Sequence, residues 1–284
     1  WGGQDAQGSF GRFDSVFYFS QKYRVIDNVF GLGQPTKNIE CLYNSRTGRN
    51  TTDPWCMQNG YPAGPDYQPV PHAMPADGGI GLAPQQVLVN FLDNHDLPRF
   101  MFEKTDPNQL RVALMYLYTW DGIPCLYYGT EQLFNGGVDP KNREDMFLGN
   151  QAMNYPPFDT TNDTFKLVQS LIKMRKDHSA LRRGQVTPIY STTTSGTGAR
   201  DEGIFAFERN DVGNEMALVV LNASTQTSET CANTGNTCLH TSFPPGTTLV
   251  DVMPTSDGKT YTVAGDGTLD ITVPARSGRV LVKQ

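Results

Sequence analysis

The sequence lacks the features that mark several functional classes. No apolar run approaches the roughly 20 residues that a membrane helix needs. No basic block is present, and a net charge of −6 with a pI near 5.2 disfavours a nucleic-acid partner. No charged-then-apolar leader opens the chain at Trp1. We therefore expect neither a membrane nor a nucleic-acid partner, and we expect that processing or a cut has removed whatever preceded Trp1.

Charged residues are also scarce. They make up 18% of the chain, whereas about 25% is usual. Glycine and proline are plentiful instead, at 28 and 19 residues, which indicates a loop-rich globular protein with β-structure. A length of 284 residues exceeds what one typical core supports, so the sequence predicts two domains, or one domain and part of another.

The five cysteines suggest two local disulfides. Cys41 and Cys56 bracket a polar segment, and Cys231 and Cys238 bracket a Gly- and Asn-rich loop without histidine, so neither spacing resembles a zinc site. Cys125 lies in an apolar run and is predicted to be a buried free thiol. Five reduced cysteines in a cytosolic protein remain the alternative.

The first part of the chain alternates strand and helix patterns. Strands are predicted at residues 14–19, 87–92 and 123–128, and a long irregular segment is predicted from about Leu32 to Pro84. Helices are predicted up to Gly31, after the Asp106–Pro107 cap, and after Asn162. Strands buried on both faces between helices favour a parallel sheet, and three such units are too few to close a barrel.

Beyond Gly184 the pattern changes to short alternating segments between turn residues, which is typical of an antiparallel sandwich. The predicted fold class is thus α/β plus all-β: the C-terminal part of a (β/α)8 barrel in residues 1–184, then an antiparallel β-sandwich domain in residues 185–284.

The stretch FLDNHDLPRF, residues 91–100, places Asp93, Asn94, His95 and Asp96 at the end of a predicted strand. In parallel α/β barrels the functional residues gather at the carboxyl ends of strands. Adjacent donors and acceptors suit sugar hydroxyls, and a carboxylate can stabilise an oxocarbenium ion. Polar residues that merely cap the strand and its turn are the alternative.

FLDNHD with LPRF, then GIPCLYYGTEQ and DPKNR, closely resembles the α-amylase family of retaining glycoside hydrolases and transglycosylases. The resemblance implies that these motifs lie on and after the seventh and eighth barrel strands. It implies that Asp96 stabilises the transition state, that His95 binds the same sugar and that Asn94 orients the turn. Asp139 and Arg143 resemble the pair that grips glucose units toward the non-reducing end, although a plain loop salt bridge is also possible.

Other residues near these motifs have two interpretations. Four aromatic residues could stack on sugars or, more simply, pack in the core: Trp120, Tyr127, Tyr128 and Phe134. Trp55, in the polar insertion, is the better candidate for a sugar platform. Glu131 is interpreted as structural, because the family does not use that position as its acid.

The sequence departs from the family in one respect. A retaining glycosidase needs two carboxyl groups about 5 Å apart, as nucleophile and as acid/base. The family's motifs for both precede the strand at residues 14–19, and neither occurs here. We therefore expect the isolated chain to be inactive and to need the N-terminal part of the same enzyme. Calcium is implied by the resemblance only, since no oxygen-rich ligand cluster is visible.

The sequence thus predicts a secreted enzyme that acts on α-1,4-glucans such as starch and maltooligosaccharides by a retaining mechanism. Sequons at Asn50, Asn162 and Asn222 fit an exported chain. One alternative is a cyclodextrin glycosyltransferase or maltogenic transglycosylase, which the absence of further β-domains disfavours. The other is a non-catalytic amylase-like binding or assembly subunit, which the retention of Asn94, His95 and Asp96 disfavours.

Overall fold

A computed structural model describes residues 15–49, 52–61, 84–147, 158–231, 238–256 and 258–284. Within these ranges, none of the helices combines the length and the apolar character that crossing a bilayer requires.

The N-terminal region is more helical than the sequence predicts. Within the described part of the predicted strand 14–19, residues 15–19, Phe17 alone makes a parallel bridge, to Val89, and Asp14 lies outside the described residues. The helices that follow are α1 (Phe19–Gln21), its continuation as a π-helix (Lys22–Gly31), α2 (Lys37–Thr47), α3 (Pro54–Gln58) and α4 (Pro84–Val87). The prediction of an irregular segment from Leu32 to Pro84 is therefore wrong for α2 and α3. Residues 62–83 of that segment lie outside the described residues.

A parallel strand–helix–strand unit follows. Strand β1 (Val89–Phe91) pairs in parallel with β2 (Ile123–Cys125), and α5 (Pro107–Thr119) connects them. The carboxylate of Asp106 accepts a hydrogen bond from the amide of Asn108 at 2.9 Å, so the predicted helix cap is confirmed. Both strands are shorter than predicted, and Ile123 is 46% exposed, so burial on both faces does not hold for β2.

Among the described residues between β2 and Gly184, three further helical segments follow: a 3₁₀ turn (Thr130–Gln132), α6 (Asp163–Asp177) and α7 (Ser179–Arg183). The Asn162 side chain caps α6 by accepting from the amide of Phe165 at 2.8 Å. Helix α6 ends in the predicted basic turn with Arg175 and Lys176.

The remaining residues form antiparallel β-structure, as predicted. The strands are β3 (Gln185–Ser191), β4 (Ile204–Asp211), β5 (Glu215–Asn222), β6 (Ser228–Glu229), β7 (Leu239–His240), β8 (Thr248–Asp251), β9 (Thr260–Thr262), β10 (Thr268–Leu269), β11 (Thr272–Val273) and β12 (Ser277–Lys283). Six of them make one sheet in the order β3-β4-β5-β12-β8-β9, and the others pair as β10-β7 and β11-β6.

Side-chain alternation divides the apolar residues of this sheet between two cores. Phe205 and Phe207 of β4 belong to a core shared with α5 and α6, whereas Ile204 and Ala206 face the small strand pairs β10-β7 and β11-β6. Trp120, after α5, packs on Phe205 and Phe207 with ring centroids 5.7 Å and 4.9 Å away. The apolar core therefore crosses residue 184.

Both predicted disulfides are present, Cys41–Cys56 between α2 and α3 and Cys231–Cys238 in the β-region. Cys125 is a free thiol, but it is half-buried, so full burial was wrong.

The predicted sequons differ in whether their asparagine is described and accessible. The side-chain amide of Asn222 is fully buried and donates to the carbonyls of Gln226 and Val273, so this sequon is closed to glycosylation in the folded chain. Asn50 lies outside the described residues.

Candidate functional site

The turn after β1 is closed by a buried aspartate. Asp93 is 2% exposed, and its two carboxylate oxygens accept from the amide of Phe100 at 2.9 Å and from the hydroxyl of Thr130 at 2.8 Å. Burial raises the pKa of Asp93 despite these donors. Asp93 thus supports the turn, which carries the exposed residues His95 and Asp96.

Asn94 orients the exposed part of this turn. Its side-chain oxygen accepts hydrogen bonds from the amides of Asp96 at 2.9 Å and Leu97 at 3.0 Å, an arrangement typical of Asx turns. The side chains of His95 and Asp96 are 61% and 63% exposed, and their Nε2 and Oδ1 atoms are 3.3 Å apart. An exposed imidazole and carboxylate therefore stand side by side, free to meet a ligand.

The loop that carries DPKNR lies against this turn. Arg143 Nε is 3.0 Å from Asp139 Oδ1 and 3.4 Å from the carbonyl oxygen of His95. The salt bridge between Asp139 and Arg143, which was the alternative to a pair that grips glucose, is thus present. Both side chains are about half exposed. The fold nevertheless brings all five predicted site residues into one surface region.

A buried asparagine joins the loop to the turn. Asn142 is 0% exposed, and its amide nitrogen donates to the carbonyls of His95 at 2.8 Å and Leu97 at 2.9 Å. These are the carbonyls on either side of Asp96. The position of Asp96 is therefore fixed from the loop that also carries Asp139 and Arg143.

Arg99 supports the same loop from inside. It is 1% exposed, its Nε is 2.9 Å from Glu144 Oε2, and its Nη1 donates to the carbonyl of Tyr128 at 2.6 Å. The guanidinium lies 4.0 Å from the ring centroid of Tyr127. Tyr127 and Tyr128 thus pack on Arg99, and Phe134 and Trp120 are buried, so core packing is confirmed for the last two.

Two further candidates have different surroundings. Glu131 is 8% exposed at the 3₁₀ turn, and burial raises the pKa of its carboxyl, as suits a structural residue. Trp55 in α3 is half-buried against the core, and its role as a sugar platform stays a prediction.

The described residues contain no cluster of side chains that would bind calcium. Among the residues that the structure describes, no group of three or more His, Cys, Asp or Glu side chains could hold a metal ion. The described residues therefore do not fit the calcium that the resemblance implies, and no step below depends on it.

Comparisons with known proteins support the resemblance. No family model matches the chain. It is 33% identical over 182 residues to a cyclomaltodextrin glucanotransferase of Bacillus sp. (strain 1-1), covering 64% of this chain and 22% of that protein. It is 32% identical over 183 residues to an α-amylase of Niallia circulans, covering 64% and 30% respectively. The chain is homologous to the α-amylase family.

A solved structure agrees at the level of the fold. CldA, a cyclomaltodextrin glucanotransferase with a three-domain ABC distribution, matches with a TM-score of 0.64 at 24% identity over 94% of this chain and 44% of that one. The chain thus spans less than half of that protein, and between about a fifth and a third of the two curated relatives.

Sequence reasoning missed three residues that hold this candidate site together: Arg99, Asn142 and Glu144. Arg99 and Asn142 stand inside the quoted motifs LPRF and DPKNR, and Glu144 directly follows DPKNR, so proximity to the motifs was the available signal. Nothing in the local pattern marks them as buried, because polar residues in loops are ordinarily exposed.

Proposed function

We propose that this chain is the C-terminal part of a secreted, retaining α-amylase-type enzyme that acts on α-1,4-glucans. In this proposal residues 1–184 supply the last three strands and helices of a (β/α)8 barrel, and residues 185–284 form a C-terminal β-domain. The nucleophile and the acid/base belong to an N-terminal part of the same protein, so the isolated chain is inactive. Sequence relatives named as α-amylase and cyclomaltodextrin glucanotransferase support the substrate class.

One observation carries the proposal: Asp96 and His95 stand exposed on a turn whose flanking carbonyls are held by Asn142, next to the Asp139–Arg143 pair. The Asp96 carboxylate would accept hydrogen bonds from the hydroxyls of the sugar at the cleavage point and stabilise positive charge developing on its ring. His95 would donate to the same sugar. The planar fork of Arg143 would hold a glucose unit further along the chain.

A transferase activity is the second candidate function, and the names of the relatives support it. Cyclomaltodextrin glucanotransferases are among the sequence matches and the solved neighbours. The expectation that such enzymes continue into further β-domains does not separate the two reactions, because CldA is described with a three-domain distribution. Incubation of the full-length protein with starch distinguishes them: cyclic products support transfer, and linear maltooligosaccharides alone support hydrolysis.

The assignment of Asp96 is tested by Asp96→Asn in the full-length protein. We expect turnover of maltooligosaccharides to fall at least about 100-fold, because a neutral amide does not stabilise the oxocarbenium ion. Binding of intact oligosaccharide should change much less, and isothermal titration calorimetry measures that separately.

The matched control is Asp163→Asn, at an aspartate on α6 whose side chain is 79% exposed, and it should retain wild-type turnover. Near-wild-type turnover of Asp96→Asn would contradict the catalytic role. A full-length protein that binds glucan but never cleaves it would favour the non-catalytic subunit instead.

A further inference from the structure

A small pocket lies between the π-helix Lys22–Gly31 and the segment that follows the turn with Asp96. Its volume is about 180 Å³, and an apolar cavity of about 150 Å³ is enough to bind benzene. We call it the lysine pocket, and the residues used below are Lys22, Asp27, Leu97, Pro98, Phe102 and Lys104. Its volume suits a molecule built on one small ring.

Two ammonium groups line this pocket, and a carboxylate pairs with the first of them. Lys22 Nζ forms a salt bridge with Asp27 Oδ1, and the side chain of Lys22 is only 5% exposed. Lys104 Nζ donates to the carbonyl oxygen of Phe102 at 3.4 Å, and among the residues that the structure describes it forms no salt bridge. Lys104 thus brings a positive charge to the pocket without a described carboxylate in contact with it.

The surroundings of Lys104 do not balance this charge. Burial lowers the pKa of the Lys104 ammonium, whereas Asp27 and the exposed Glu103 raise it. Lys22 lowers the pKa further, and the net effect of all these groups is a lowered pKa. The nearby carboxylates therefore do not offset the loss of water around the ammonium group, and an additional anion would stabilise its charged form.

Apolar side chains form much of the remaining wall. Leu97, Pro98 and Phe102 are half-buried and line the pocket. Lys104 Nζ lies 5.3 Å from the centroid of the buried Phe100 ring, so the ammonium group stands beside aromatic surface. An anion with an apolar body would gain from burial against these walls, whereas a simple inorganic ion would gain from its charge alone.

Two other classes of ligand fit poorly. A metal ion has no group of three or more possible ligand side chains among the described residues. A dianion would need a second free cation, but Lys22 is paired with Asp27. Arg99 also lines the pocket, and its guanidinium is paired with Glu144. A single negative charge therefore matches the pocket best.

We propose that the lysine pocket binds a small organic monoanion, a carboxylate attached to one aromatic or aliphatic group. The carboxylate would accept a hydrogen bond from Lys104 Nζ, and the apolar group would pack on Leu97, Pro98 and Phe102. Such a site lies outside the proposed function, because it holds no glucan and contains none of the residues assigned to cleavage.

The pocket adjoins the candidate site through the backbone. The amide of Leu97 donates to Asn94 Oδ1 at 3.0 Å, and the carbonyl of Leu97 accepts from Asn142 at 2.9 Å. A ligand that packs on Leu97 would therefore contact the segment that supports the turn with Asp96.

Isothermal titration calorimetry of the full-length protein with benzoate tests this site. We expect a Kd of about 1 mM. Lys104→Met keeps a long apolar side chain but removes the charge, and it should weaken binding at least about 10-fold. Asp27→Asn leaves Lys22 as a second cation without its carboxylate, so it should tighten binding about threefold or more.

The matched control is Lys166→Met, at an exposed lysine of α6 outside the pocket, and it should bind benzoate like wild type. Chloride should compete at least about 10-fold more weakly than benzoate, because it has no apolar body to bury.

Three outcomes would overturn the proposal. The wild-type protein could show no benzoate binding far above the expected Kd, Lys104→Met could bind as tightly as the Lys166→Met control, or chloride could compete as strongly as benzoate. None of these results concerns glucan cleavage, so each would leave the proposed function standing. A full-length protein that binds benzoate as expected but neither binds nor cleaves starch would contradict the proposed function alone.

Discussion

At the scale of single residues, buried carboxylates shape the loops of this chain. Glu202 is 7% exposed, and its two oxygens accept from the amides of Gly196 at 2.5 Å, Thr197 at 3.0 Å and Gly198 at 2.8 Å. One side chain thereby organises a loop that has no regular structure of its own. Asp93 does the same for the turn that carries Asp96.

The shifted pKa of Glu202 predicts how the free energy of unfolding changes with pH. Burial alone would raise the pKa of its carboxyl, but the three backbone amides outweigh it and lower the pKa below the ordinary 4.5. A lowered folded-state pKa means that this contribution is fully present above pH 4.5 and is lost as the pH falls through the folded-state pKa.

We expect Glu202→Gln to cost about 2 kcal/mol at pH 7, because one acceptor oxygen is lost, and to cost progressively less below pH 4.5. Urea denaturation between pH 3 and pH 7 measures the free energy of unfolding of both proteins. A gap between wild type and variant that is the same at pH 3.5 and pH 7 would contradict the assignment.

At the scale of elements, the two loops that follow β1 and β2 behave as one unit. Asn142 bonds the backbone on both sides of Asp96, and Arg99 reaches Glu144 in the second loop. Gly136 closes the contact: a Cβ atom there would lie 1.7 Å from the carbonyl oxygen of Lys141, so only glycine fits. The Asp139–Arg143 pair and Asp96 therefore lie on two loops that are held together.

Asn142→Leu tests whether Asn142 holds the two loops together, because the side chains of leucine and asparagine differ little in volume. The carbonyls of His95 and Leu97 lose the hydrogen bonds from Asn142, so we expect a loss of stability of about 1–3 kcal/mol. In the full-length protein the resulting shift of Asp96 should lower kcat about 10-fold or more, with a smaller effect on KM.

Lys141→Leu is the matched control for this variant, since it introduces the same residue at the neighbouring, exposed position. It should behave as wild type in thermal unfolding and in steady-state kinetics. A kcat of Asn142→Leu equal to that of this control would show that Asn142 does not position Asp96.

At the scale of the whole molecule, the helical region and the large sheet are joined by apolar packing and by a buried arginine. Arg209 of β4 is 0% exposed and donates to the carbonyls of Gly184 at 2.9 Å and Thr119 at 2.8 Å. Its Nη2 lies 3.8 Å from Asp121 Oδ1. Burial raises the pKa of Asp121 and lowers that of Arg209, so each group depends on the other to stay charged.

Arg209→Met leaves the Asp121 carboxylate buried without its partner, and we expect a loss of about 3–5 kcal/mol in the free energy of unfolding. The double variant Arg209→Met/Asp121→Asn should be more stable than the sum of the single effects allows, because the orphaned charge is gone. Urea denaturation of the three variants measures this coupling, and strictly additive losses would argue against it.

Prediction from the sequence succeeded where local chemistry decides the structure. The Asp106 cap of α5, the period-2 strands beyond Gly184 and the two cysteine pairs each depend on residues that are close together in the chain. Helix α2 was missed because its buried face carries polar residues, among them Asn38, Asn44 and Ser45, so its apolar residues show no clear helical period.

The candidate site also has one part that the sequence predicts and another that depends on the tertiary structure. The sequence by itself determined that a polar turn follows a strand, since FLDNHD contains both the strand and the Asn94 oxygen that orients the turn. Only the tertiary structure decided that Asn142, more than 40 residues away, holds that turn beside Asp139 and Arg143. The physical reason is that such a bond depends on where two loops meet, and their meeting is set by the packing of the strands and helices beneath them.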